Sequence, residues 1–200
     1  YEKYRDSAFY DASAWSVANF YNIKYEPKNK VSDGIKIKNL SNFIELEAIN
    51  KSNYAYAINS QDYNIPALIQ DIQNVNLLAT VAFKPFKSKN NFLFPYGSII
   101  VPVELQNKTE EEIFNIMKKL QLKHQIQIRG LNSGLSLEGI DLGSRNVKVI
   151  KKPKSLMIIG DGIRAYEAGE VWHLLDKRVG IPITKIHSHR LGNVDLENYN

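Results

Sequence analysis

No cysteine occurs anywhere in the 200 residues, which excludes disulfides, thiolate zinc sites and a cysteine nucleophile. No apolar run approaches the roughly 20 residues needed to cross a bilayer, so no membrane span is expected. The first eleven residues hold no apolar stretch that could serve as a signal peptide, and the expectation is a soluble chain. An initiating methionine is also missing, which points to a piece of a longer polypeptide. Concentrated charge is scarce. The net charge is +5, yet the lysines are dispersed, and the one cluster, Lys148, Lys151, Lys152 and Lys154, surrounds Pro153 and reads as a solvated linker. A surface that tracks phosphates gathers its charge in one place, so nucleic acid is not an expected partner.

What is present suffices for a packed interior. Hydrophobic residues make up 44% of the chain and aromatic residues 10%, enough for one core, or one domain and the opening of a second. Residues 13–21 carry Trp15, Ala18 and Phe20 among small polar residues, the pattern of a short amphipathic helix. Apolar and polar residues then alternate over 35–38 and 43–48, suggesting a small β insertion near 27–50. From there the rhythm changes. Strands are expected at 54–58, 77–83, 97–103 and 125–129, with helices at 64–74 (Pro66 in the first turn) and after Thr109. Thr109 with Glu112 has the spacing of a capping box, and Ile113, Ile116, Met117 and Leu120 form the apolar stripe behind it. Strands alternating with helices predict a mainly parallel, flavodoxin-like sheet with helices on both faces over residues 1–150. Residues 130–145, rich in Gly, Ser and Asn, read as a long ordered loop. After the lysine linker the rhythm restarts: strand 156–159, helix 166–176 ended by Gly180, strand 182–187. Residues 151–200 are thus the first βαβ part of a second, incomplete α/β unit, because two strands do not bury a sheet by themselves.

Three motifs carry possible chemistry. Gly160-Asp161-Gly162-Ile163-Arg164-Ala165 sits between a strand and a helix, like the glycine turn that lets a backbone approach a phosphate, but the next strand ends in His187-Ser188-His189 where a dinucleotide site wants an acid. The match is weak, and a plain tight turn between strand and helix is the favoured reading. His173, His187 and His189 are weak metal-ligand candidates, since nothing in their spacing makes the helix and strand histidines converge. Gly130-Leu131-Asn132-Ser133-Gly134 follows a strand as a nucleophile elbow does, yet its centre is Asn132, which disfavours hydrolase chemistry. Ligand-binding or interface roles fall to Arg145, Asp161, Arg164, Glu167, Glu170 and Trp172, polar or aromatic residues near glycine turns at strand ends. For Trp172 a core position, and for Glu167 a helix-start acid, are the plainer readings.

Several phrases together resemble one family. They are residues 9–15 (FYDASAW), 94–98 (FPYGS), 139–145 (GIDLGSR) and Gly160-Asp161-Gly162 followed by YEAGEVWHLL over 166–175. In these the chain resembles the region, similar to class I glutamine amidotransferases, that follows the catalytic domain of large bacterial zinc carboxypeptidases. The resemblance implies a parent protein that removes C-terminal residues from peptides with a zinc ion held by His-x-x-Glu and a distant His. No His-x-x-Glu occurs here, so no catalytic residue and no metal or other cofactor is expected in this chain; zinc belongs to the parent's peptidase domain. A glutaminase would need the cysteine that is missing. The implied role is a non-catalytic accessory region that packs on or regulates the peptidase domain of the same polypeptide, with peptide substrates reaching it through that domain. The implied location is periplasmic, cell-surface or secreted. The alternative is a flavodoxin-like or amidotransferase-like domain that captures a small anion at loops 130–145 and 160–164.

Overall fold

A computed structural model describes residues 25–26, 29–30 and 45–200. The helix expected at 13–21, the phrase at 9–15 and most of the β insertion expected near 27–50 lie outside the described residues. Ile44–Asn200 forms one compact unit.

The centre of that unit is β1, Ala55–Ile58, whose four residues are all buried. Helix α1 follows at Ile65–Asn74, then β2 at Thr80–Ala82, β3 at Phe86–Ser88, β4 at Leu93–Phe94 and β5 at Ile99–Pro102. Helix α2, Glu110–His124, leads to β6 at Ile128–Leu131, β7 at Ser136–Gly139 and β8 at Val147–Val149. Five of these strands form one sheet in the order β6-β1-β5-β2-β8, and every pairing in it is antiparallel. A second sheet, β4-β3-β7, is antiparallel as well.

This overturns the mainly parallel, flavodoxin-like sheet. The physical reason lies in the connections. Helix α1 joins β1 to β2, and α2 joins β5 to β6; in each case a further strand is inserted between the joined pair, β5 in the first and β1 in the second. Strands joined through a helix keep the same direction, but their neighbours run the other way. The result is the βαββαβ connectivity of the ferredoxin-like, split βαβ plan, with β3 and β4 inserted before β5 and β8 added at the edge of β2. The loop expected at 130–145 is also corrected: it contains the end of β6 and all of β7.

Period-two alternation decides which side chain meets which layer. Tyr56 and Ile58 point to the helices, where Ile99, Val101 and Ile128 join Leu68 and Ile72 of α1 and Ile113, Met117 and Leu120 of α2. Ala55, Ala57 and Ile100 face the opposite side, with Phe86 and Phe94 of the small sheet. The alanines leave room there for the stacked rings of Phe86 and Phe94, whose centroids are 4.8 Å apart. Both faces of β1 are therefore covered, by helices on one side and a second sheet on the other.

Helix α2 starts as its sequence dictates. The Thr109 hydroxyl accepts from the Glu112 amide at 3.3 Å, and the Glu112 carboxylate accepts from the Thr109 amide at 2.8 Å. Three acids in the first turn and Lys123 and His124 in the last complement the helix dipole. Thr109→Ala is expected to lower stability by about 1 kcal/mol. Urea unfolding checks this; a change within error would mean the box adds nothing to α2.

Beyond the lysine linker, still within this unit, two more strands form a sheet of their own. Strands β9, Ser155–Ile159, and β10, Ile183–His187, pair in parallel across α3, Ala165–Trp172. Helix α3 continues without a break into a π-helix, His173–Val179, closed by Gly180 at φ +85°. Two 3₁₀ turns, Ser188–Asn193 and Leu196–Asn198, follow β10. Neither α3 nor the π-helix holds a single buried residue.

Candidate functional site

In a parallel pair the loops after both strands lie at the same end of the sheet, which is where open α/β sheets bind ligands. Here Ile159 pairs with His187, so the turn 160–164 and the turn after β10 lie side by side. Gly160 and Gly162 have φ +93° and +85°, conformations that favour glycine, and the Ile163 amide closes the turn on the Gly160 carbonyl at 2.9 Å. A β-carbon on Gly160 would stand 2.5 Å from Nδ1 of His187. The imidazole thus packs directly on the turn. Ser188 Oγ donates to the Asp161 carbonyl at 3.3 Å, and the His187 and His189 rings lie 5.5 Å apart.

The candidates distribute unevenly around this end. Asp161 and Arg164 belong to the turn, and Arg164 is paired with Glu167 at 3.6 Å, so part of its charge is already answered within one helical turn. Glu170 is exposed on α3. Trp172 is half-buried, and its ring takes two cations, Lys185 Nζ at 4.4 Å and Lys177 Nζ at 5.1 Å. Since Lys185 stands on β10, this contact fixes α3 over one face of the strand pair. Arg145 is exposed in the turn before β8, and among the described residues no hydrogen bond or ion pair joins it to the glycine turn. His173 is the first residue of the π-helix. Among the described residues no three His, Cys, Asp or Glu side chains are placed to hold a metal. Ser133 is no elbow nucleophile, because strand β7 follows its turn rather than a helix, and its hydroxyl caps the Leu135 amide at 3.1 Å.

A second polar cluster, not marked by any motif, joins α1 to α2. Asp71 accepts from Lys123 and meets His124 Nε2, each at 2.6 Å, and the His124 side chain is only 9% exposed. Its sequence signal was the basic pair closing α2. Partial burial pushes the Asp71 carboxyl up, but Lys123 and His124 outweigh it and hold the group below its ordinary value. A carboxyl lowered by folding contributes stability that is present above its unfolded value, about 4, and is lost as the pH falls through the folded one. Stability is therefore expected to drop below about pH 4, and Asp71→Asn is expected to remove part of that drop. Urea midpoints measured from pH 3 to pH 7 check this; identical slopes for both proteins would refute it.

No family model matches the chain, and neither a curated protein nor a solved structure matches it. No helix among the described residues is long and apolar enough to cross a membrane.

Proposed function

We propose that this chain is a non-catalytic accessory region of a zinc carboxypeptidase-like protein, and that its part from Ser155 onward is the surface that packs on the rest of that protein. The observation that carries the reading is the openness of this second α/β unit. Parallel sheets occur almost only where both faces are covered, and two strands alone are marginal in water. Yet β9 and β10 pair only with each other, and α3 and the π-helix bury no residue. Apolar side chains stand outward along the helices: Tyr166 is 89% exposed, Val171 48% and Leu174 46%. A cover supplied by neighbouring polypeptide would remove that surface from water. The phrases at 139–145 and 160–175 support the choice of parent, and in this reading zinc and turnover belong to the parent's peptidase domain.

The test pairs two measurements on the purified chain: metal content by elemental analysis, and release of C-terminal amino acids from peptides with zinc added. No stoichiometric zinc and no release are expected. Zinc bound one to one with turnover would overturn the reading and direct attention to His173, His187 and His189.

A further inference from the structure

We propose that the groove between the start of α1 and the π-helix is a binding site for a carboxylate with an apolar body. The groove has a volume of about 570 Å³, within the range of small-molecule pockets. Its walls are Pro66 and Ala67 on one side and Leu174, Leu175, Val179 and Ile181 on the other. These are apolar side chains, several of them half-buried, and they give the ligand its apolar contact. Three of them, Leu174, Leu175 and Val179, stand on the π-helix, whose wider turn is rare and is frequent at functional sites.

The charge at the groove has one sign. Lys177 and Arg178 line it and no acid does. Lys177 is already answered, by Asp176 at 3.3 Å and the Trp172 ring at 5.1 Å. Arg178 carries no ion pair: among the described residues no carboxylate lies within ion-pair distance of it, and its guanidinium lies over the ring of Tyr63, which also lines the groove, at 5.9 Å. The α1 end adds no charge of its own: the Asp62 carboxylate accepts from the Asn64 backbone amide at 2.8 Å, and the Asn64 side chain donates to the His124 carbonyl at 3.5 Å. A bidentate donor without an ion pair beside apolar walls selects a ligand that carries a carboxylate at one end and hydrocarbon at the other.

Octanoate serves as the probe, with octan-1-ol (the same body without the charge) and acetate (the charge without the body) as controls, titrated into the whole chain by calorimetry. Saturable binding of one octanoate per chain is expected, weakening with added salt, with both controls far weaker. Arg178→Gln, at an exposed position, is expected to weaken octanoate about fivefold. Ala67→Leu, which fills the groove from its α1 wall, is expected to weaken octanoate and leave the melting temperature of the chain in place. The proposal is overturned if octanoate does not saturate, if octan-1-ol binds as well, or if neither variant changes the affinity.

Discussion

Tyr56→Ala should cost about 4 kcal/mol, a large share of the 5–15 kcal/mol that holds a typical domain folded. Tyr56 is fully buried at the middle of β1, on the face that meets both helices, so truncation leaves a cavity bordered by strand and helix side chains. The loss has a second part. The Tyr56 hydroxyl accepts from the Ser52 amide at 3.1 Å, and Ser52 is itself buried, so the amide would be left without a partner. Tyr56→Phe separates the two, with an expected cost of about 1–2 kcal/mol from the lost hydroxyl alone, which also donates to the Ser52 carbonyl at 3.4 Å. Urea unfolding of both variants checks the ranking. Equal costs would show that the hydroxyl, and not the packing, holds this position.

Gly130→Ala is expected to cost about 3 kcal/mol although it adds one methyl group. Gly130 is the partner of Tyr56 across β1 and β6, and a β-carbon there would stand 2.2 Å from the Asn50 carbonyl oxygen and 3.1 Å from the Ser52 β-carbon. The first of these is backbone, which cannot rotate away. It belongs to the segment that Ser52 ties to β6 through its 2.6 Å bond to the Leu131 carbonyl. Gly143→Ala, where nothing lies within 4 Å, is the control and should change stability by less than about 0.5 kcal/mol. Comparable melting temperatures for the two variants would contradict the close approach at Gly130.

The elements were largely legible in the sequence, and the sheet was not. The capping box at Thr109 and the stripe behind it announced α2, and Pro66 announced the first turn of α1, because caps and periodicity are local chemistry. The run of buried residues in β1 also announced a strand covered on both faces. What periodicity does not record is which strand lies next to which. A β-α-β segment reads the same whether its two strands are neighbours or have a third between them, and here β5 and β1 fill those gaps. Strands β3, β4, β7 and β8 are two to four residues long, too short to show alternation above the glycines and asparagines around them. At the site, the glycine turn at 160–164 stood where the strand and helix patterns put it. The packing of His187 on Gly160, Lys185 on Trp172 and the groove beside Arg178 come from contacts between residues on different elements, which no local pattern encodes.

The proposed role depends on the second α/β unit being left open by this chain, and amide hydrogen exchange of the purified chain tests that most directly. The amides of β1 and β5, buried between two layers, should exchange only through global unfolding. Those of β9, β10 and α3 should exchange far faster in the isolated chain, and slow down when the same residues are followed in the intact parent protein. Protection of β9 and β10 equal to that of β1 in the isolated chain would show the unit to be self-sufficient and would contradict the account.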